Sequence, residues 1–303
     1  MTYSPACELQ RKPLRTIGIM ANSGKYAALE IARDAESYLN GHGVKVLIQH
    51  HVAESWGDSA RGLSDDEVTD GDAVIVLGGD GTILATSREC GPKGTPMLPV
   101  HLGRFGFLTE VAPTAIRVAL DKLMSRDYTV EQRLMLSATA RRDGQSQTQA
   151  SVLALNDIVV ANGPLSRVLH LRMSVDGRYV TTYAADGIIV ASPTGSTAYS
   201  LSAGGPLVHP DVSAILVTPI CPHTLTSRAL LLPAKSEVTI EVERDPQDIV
   251  RVTIDGQLGF PLQSGDAISV RHADHPAHII SVGGADFYDK LQNKLRWGER
   301  LVY

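Results

Sequence analysis

The chain has 303 residues, 43% hydrophobic and 20% charged, a globular composition long enough for two domains. Its formal net charge of −5 argues against a general nucleic-acid binder, which carries a basic patch. Three cysteines, Cys7, Cys90 and Cys221, form no C-x-x-C pair and leave an odd count, which speaks against a disulfide framework or structural zinc and suits a reducing cytoplasm.

Residues 1–14 read as a loose tail with Arg11 and Lys12 but no apolar signal-peptide core. No later stretch reaches the roughly 18 apolar residues needed to span a membrane. A strand is expected at 16–20. Ala28, Ile31, Ala32, Ala35 and Leu39 then recur at helical spacing, and Gly41 and Gly43 stop that helix. A second strand follows at 44–49, then an acidic loop with a short helix over 53–70. The apolar run 73–77 is a third strand, entering Gly78-Gly79-Asp80-Gly81-Thr82 and a helix to about residue 90. A fourth strand at 97–102 ends on Gly103-Arg104-Phe105-Gly106-Phe107, and Ile116, Ala119, Leu120, Leu123 and Met124 mark another helix. Strands alternating with helices imply a parallel sheet covered on both faces.

Beyond about residue 130 the chain turns β-rich. Strands are expected at 130–140, 152–161, 169–175, 179–183, 188–192, 212–217, 237–243, 249–254 and 267–271, with turns at Asp176-Gly177, Asp255-Gly256 and Gly265-Asp266. Helical spacing returns over 287–297, at Phe287, Leu291, Lys294 and Leu295. That last segment is expected to return to the first domain. The expected fold is therefore an α/β N-terminal domain with a parallel sheet, made of 1–130 and 272–303, plus a β-rich domain over 131–271.

Two loops carry chemistry. In Gly78-Gly79-Asp80-Gly81-Thr82, glycines at the end of a buried strand let backbone N–H groups approach phosphate oxygens, and the next helix adds a partial positive charge. A carboxylate among those donors would repel a phosphate it merely bound. Asp80 therefore reads as a base or an orienter for a hydroxyl attacking phosphate, against the plainer reading of a helix N-cap. The second loop, residues 186–205, runs from a strand into a turn crowded with hydroxyls and then a helix. Ser and Thr there either cap the helix or bind a ligand.

Taken together, these segments resemble the NAD kinases from about Thr16 to Trp297. The resemblance rests on Gly78-Gly79-Asp80-Gly81-Thr82, Gly103-Arg104-Phe105-Gly106-Phe107-Leu108, Leu155-Asn156-Asp157, the long run 186–206, Cys221-Pro222-His223-Thr224-Leu225 and Asp255-Gly256-Gln257. It implies phosphoryl transfer from ATP, or from polyphosphate, to the 2′-hydroxyl of the adenosine ribose of NAD, giving NADP. Asp80 would accept the hydroxyl proton, and Gly78, Gly79, Gly81 and Thr82 would meet phosphates. Asn156 and Asp157 match the pair holding the ribose hydroxyls. Asp186 and the stretch Thr197, Ala198, Tyr199, Ser200, Leu201 and Ser202 match the NAD pocket, as does Gln257. Arg167, eleven residues after Asn156, matches a contact for the diphosphate or the nicotinamide side. No Walker-type loop is present, so Mg²⁺ or another divalent metal is expected to arrive with ATP. The resemblance also implies a homodimer or homotetramer, with small nucleotides as partners and neither nucleic acid nor membrane.

Three positions depart from the family pattern. Asp157 stands where glutamate is common, and His101 where asparagine is common. Ala184 stands where NAD-selective relatives carry arginine and NADH-accepting ones glycine; its small size points to tolerance of NADH.

Three further signals read as structural, and a fourth, Arg88, reads either way. His272, His275 and His278 fall in an expected loop around Pro276 and read as a solvated cluster rather than a zinc site. Cys221 reads as a small buried residue, and His223 as structural. Arg88, about two turns after Asp80, reads equally as a phosphate contact or a surface ion pair. Two other functions compete. A diacylglycerol-type lipid kinase shares the first motif, but no amphipathic membrane segment is seen. A non-catalytic dinucleotide sensor would be expected to lose Asp80 or the Asn156-Asp157 pair.

Overall fold

The computed structural model describes residues 14–103, 106–109, 111–143, 151–163, 168–243, 250–283 and 286–295. The chain divides into two units. One is formed by the residues up to Gln132 together with those from Ala277 onward, the other by Arg133–Pro276.

The first unit contains β1 (Thr16–Ala21), α1 (Tyr26–Gly41), β2 (Lys45–Ile48), α2 (His50–Ser55), α3 (Asp65–Val68), β3 (Ala73–Gly78), α4 (Asp80–Lys93), β4 (Met97–His101), α5 (Ile116–Ser125) and β5 (Thr129–Arg133). Ala28, Ala32, Ala35 and Leu39 form the buried stripe of α1, and Ile116, Ala119, Leu120 and Leu123 that of α5. Both stripes pack with Ile17, Ile19, Ile75, Leu77 and Leu98 in one core. Every residue of β3 is buried, as a central strand covered on both faces requires.

The second unit contains β6 (Leu136–Arg141), β7 (Val152–Ala154), β8 (Asp157–Asn162), β9 (Leu169–Val175), β10 (Arg178–Ala185), β11 (Gly187–Ala191), α6 (Tyr199–Ser202), β12 (Ala214–Ile220), β13 (Leu230–Pro233), β14 (Val238–Val242), β15 (Val250–Ile254), β16 (Leu258–Leu262) and β17 (Ala267–His272). Two six-stranded sheets result, in the orders β10-β9-β14-β17-β6-β7 and β13-β12-β11-β8-β15-β16. Alternate residues of both sheets, such as Leu171, Met173, Ile188, Val190, Val252 and Ile268, share one core. On the other face of β8, β11 and β12, Val159, Ile189 and Leu216 pack with Val208. The central parts of those strands are thus buried on both faces rather than alternately.

Chain continuity departs from the sequence expectation at two places. The strand expected over 130–140 is two strands: β5 belongs to the first sheet and β6 to a sheet of the second unit. The strand expected over 152–161 is also two, because the chain breaks at Leu155-Asn156. Apolar residues flank both breaks, so hydropathy runs through them. β13 and β16 were not expected. Both are edge strands, and β16 carries Gly259 and Pro261, which weaken a strand signal but are tolerated at an edge.

The chain then enters β18 (Ala277–Ser281) and α7 (Phe287–Leu295). β18 is the principal correction. The segment expected to be a histidine loop is an interior strand of the first sheet, whose order is β2-β1-β3-β4-β18-β5. The pairings β1–β2, β1–β3, β3–β4 and β4–β18 are all parallel. His278 is consequently buried on β18, at 6% exposure, rather than solvated. His272 ends β17, so the three histidines do not form one cluster. β2 lies on one side of β1 and β3 on the other, so the winding direction reverses between β1 and β3. Ligands of open α/β sheets bind outside the carboxyl ends of strands at such a point, and Gly78 stands there.

Candidate active site

The glycine turn is built by close approach. A Cβ on Gly78 would lie 2.2 Å from the Thr82 hydroxyl oxygen, so only glycine lets α4 start directly from β3. Gly79 is the helix N-cap and makes no side-chain cap hydrogen bond. Asp80 is therefore the first helical residue and does not serve as the cap. Thr82 N–H donates to the Gly79 carbonyl at 2.9 Å.

The Asp80 carboxylate is covered by backbone from the loop after β4. Its Oδ2 accepts the Phe107 N–H at 3.3 Å. Its Oδ1 is buried and, among the described residues, has no hydrogen-bond partner. A Cβ on Gly106 would lie 1.9 Å from that oxygen. Gly106 itself is held by its N–H donating to the Thr109 hydroxyl at 2.7 Å. Two more bonds shape the same turn: Lys25 Nζ donates to the Leu102 carbonyl at 2.9 Å, and His101 Nδ1 lies 3.1 Å from the Gly103 carbonyl. The histidine that departs from the family pattern thus braces the turn through backbone. A buried acceptor without a partner is costly unless it serves a function, and this one sits at the positive end of a helix. Arg104 and Phe105 of the same motif lie outside the described residues.

The second unit carries the other predicted residues. Asn156 and Asp157 stand at the entry to β8, where the backbone is tied down on both edges. The Asp255 carboxylate accepts the N–H groups of Leu155 (3.1 Å), Asn156 (2.7 Å) and Asp157 (3.2 Å). The Ser192 hydroxyl donates to the Leu155 carbonyl at 2.5 Å, and the Ser192 N–H to the Asn156 carbonyl at 2.8 Å. Ser192 Oγ also accepts the Gly195 N–H at 3.1 Å. A Cβ on Gly195 would lie 2.1 Å from the Asn156 carbonyl oxygen, so the hydroxyl-rich loop can lie against Asn156 only because residue 195 has no side chain. Asp157 is buried, and desolvation together with the nearby Asp255 charge pushes its carboxyl up to about 7.

The remaining predicted positions fall around this frame. Asp186 joins β10 to β11; its N–H donates to the Ile220 carbonyl and its own carbonyl accepts from Asn162, both at 3.0 Å. Ala184 is half-buried on β10, and its carbonyl accepts the His223 N–H at 2.8 Å. Thr197 donates to the Thr194 carbonyl at 3.0 Å, and the buried Ser200 hydroxyl bonds that of Thr218 at 2.8 Å. Tyr199 and Ser202 are exposed, Ala198 and Leu201 half-exposed, and Gln257 sits exposed in the β15–β16 turn. Arg167 lies outside the described residues. Cys221 contradicts its sequence reading: it is exposed and adopts a left-handed φ of 44°.

The sequence gives no reason to single out Asp255, because Asp255-Gly256 is fully explained as a hairpin turn. Its three acceptor bonds are made to residues about a hundred positions earlier. Gly106 was quoted only within a motif, and its contact with Asp80 is a tertiary fact.

Comparison with known proteins covers both units. The model of the ATP-NAD kinase N-terminal domain matches residues 17–128, and that of the ATP-NAD kinase C-terminal domain matches residues 155–282. An NAD kinase of Moorella thermoacetica is 44% identical over 285 residues, covering 94% of this chain and 90% of its own. An NAD kinase of Citrifermentans bemidjiense is 39% identical over 290 residues, covering 95% of this chain and all of its own. Among solved structures, a yeast NADH kinase complexed with NADH matches with a TM-score of 0.85 at 28% identity, over 97% of this chain and 91% of that one. An Archaeoglobus fulgidus NAD kinase in complex with ATP shares the fold, with a TM-score of 0.72 at 24% identity over 93% of this chain and 98% of that one.

Proposed function

The chain belongs to the NAD kinase family, and from that premise we propose that it moves a phosphoryl group from ATP to the 2′-hydroxyl of the adenosine ribose of NAD, giving NADP. It is an enzyme, a kinase acting on NAD. The observation that carries the mechanism is Asp80: a carboxylate at the start of α4, backed by the Gly106-Phe107 backbone, with one buried oxygen that has no hydrogen-bond partner among the described residues. Asp80 takes the proton of the attacking hydroxyl. Gly78, Gly79 and Gly81 let phosphate oxygens approach the turn, and the α4 N-terminus favours their charge. Phosphoryl transfer needs positioning and charge compensation rather than covalent help.

The NAD side is assigned to the second unit. Asn156 and Asp157 hold the ribose hydroxyls. Asp186, the stretch from Thr197 to Ser202 and Gln257 line the pocket, and Arg167 meets the diphosphate or the nicotinamide end. Ala184 is small enough to admit NADH as well as NAD, a reading supported by the likeness to a yeast NADH kinase. No three His, Cys, Asp or Glu side chains gather into a metal cage among the described residues. Magnesium is assigned to the phosphate oxygens of the donor. When bound, the metal supplies neutralisation of developing charge.

The enzyme acts in the cytoplasm as a homodimer or homotetramer. Exposed apolar residues on the edge strands, Tyr179 and Val180 on β10 and Leu231 on β13, suit such self-association. No helix among the described residues is long and apolar enough to cross a membrane. The test is a coupled assay for NADP with Mg²⁺, NAD or NADH, and ATP or polyphosphate. Asp80→Asn should lower turnover by about a hundredfold or more while the fold and NAD binding persist. Near-normal turnover in that variant would remove Asp80 from the role of base.

A further inference from the structure

Asp255 occupies a turn that a simpler role would explain. Asp255 and Gly256 have φ of 50° and 64°, and the Gln257 N–H returns to the Ile254 carbonyl at 2.9 Å, closing a tight β15–β16 hairpin. Asp-Gly is a favoured pair for such turns. The hairpin between β9 and β10 uses the same pair. There Asp176, with φ of 50°, accepts a single N–H, that of Glu237, at 2.8 Å. Asp255 does something Asp176 does not. Its buried carboxylate accepts three consecutive N–H groups, from Leu155 to Asp157, at the break between β7 and β8. The two turns share the remaining bond: the Asp255 N–H donates to the Asp157 carbonyl and the Asp176 N–H to the Glu237 carbonyl, both at 2.9 Å, so the difference lies in the carboxylate.

These bonds matter because this is where the backbone is neither in β7 nor in β8. Three adjacent N–H groups pointing one way need an acceptor if they are buried. A single carboxylate satisfies all three, and charge-assisted bonds are the stronger kind. The opposite edge of the same tripeptide is held by Ser192 and pressed by Gly195. With the backbone pinned from both sides, the points from which the side chains of Asn156 and Asp157 leave it are fixed.

We infer that Asp255 is a positioning residue for dinucleotide binding: by gathering the N–H groups of Leu155, Asn156 and Asp157 onto one carboxylate, it fixes the Asn156-Asp157 pair and keeps a negative charge beside Asp157. The inference rests on the proposed assignment of that pair to the ribose hydroxyls. Asp255 acts through the backbone of that pair, so its effect falls on binding rather than on the chemical step.

The decisive variant is Asp255→Asn in the full chain. Asparagine tolerates the left-handed conformation and favours the turn, so the hairpin survives. One acceptor oxygen becomes an NH₂ that opposes a backbone N–H, and the charge beside Asp157 is lost. The expected result is a Kd for NAD weakened about tenfold or more, the effect of one buried bond replaced by two opposed donors. The kcat at saturating NAD should stay within about threefold, and the pH limb of NAD binding, near 7 in the parent, should move lower. Asp176→Asn should change none of these. An unchanged Kd and pH limb in Asp255→Asn would leave Asp255 a turn residue and overturn the inference. Asp157→Asn separates that failure from failure of the premise. If it weakens NAD binding while Asp255→Asn does not, the inference alone falls; if it leaves NAD binding intact, the assignment of the pair falls, and the inference with it.

Discussion

Single residues decide the chemistry here through contacts of one or two atoms. Gly106 is the sharpest case. A methyl group there would occupy the space of Asp80 Oδ1, 1.9 Å away, and the carboxylate is the part free to move. Gly106→Ala should therefore displace the proposed base, Asp80, rather than unfold the chain: kcat down by about tenfold or more, with a thermal midpoint within a few degrees of the parent. Loss of the midpoint with activity preserved in the remaining folded fraction would contradict this. Asp157 gives a second test, on stability. Its carboxyl is raised from 3.8 to about 7 by burial and by Asp255. Between those values the native state keeps a proton that the unfolded chain has lost. The stability it contributes is complete below about pH 4 and disappears as pH rises through 7. Asp157→Asn keeps its neutral form throughout. Denaturant unfolding at several pH values should show the parent losing a few kcal/mol relative to that variant between about pH 4 and 8. A difference that stays constant with pH would show that the carboxyl is not held protonated. The proposed catalytic aspartate and its glycines stand out in the chain because the motif carries its own reason. The role of Asp255 was hidden behind the turn that Asp-Gly explains equally well.

Elements follow from sequence wherever one face alone is buried. The stripes of α1 and α5 were readable because helical periodicity survives in Ala28, Ala32, Ala35 and Leu39 and in Ile116, Ala119, Leu120 and Leu123. β3 and β11 were readable as apolar runs, but a run says nothing about where a strand ends if apolar residues continue past it. That is why 130–140 and 152–161 were each read as one strand. β18 was missed because His278 and the preceding Pro276 look like loop chemistry, although the strand is buried over four of its five residues. Its position makes a prediction. β18 lies between β4 and β5 inside the first sheet, and Ile280 joins the same core as Leu98 and Leu120. A chain ending at Pro276 should lose the cooperative unfolding of its first unit, seen as exposed apolar surface by dye binding. It should recover when a peptide of 277–303 is added. A truncated chain with parent-like unfolding would mean that β18 is dispensable.

At the scale of the whole molecule, the discontinuous unit and the contiguous one have different histories. The second unit closes its own core from Arg133 to Pro276, whereas the first needs residues from both ends of the chain. Composition and local pattern were enough to place the chain among globular proteins of an α/β plus β-rich fold, and the resemblance of its motifs to the NAD kinases pointed to an enzyme that acts on NAD. Those features depend on local pattern and on short strings whose chemistry is self-contained. Position in the sheet, the partner of each carboxylate and the return of β18 depend on residues a hundred or more places apart. Only the folded chain brings Gly106 onto Asp80 and Asp255 onto Asn156, because burial and hydrogen-bond satisfaction act on neighbours in space and leave no periodic mark along the sequence.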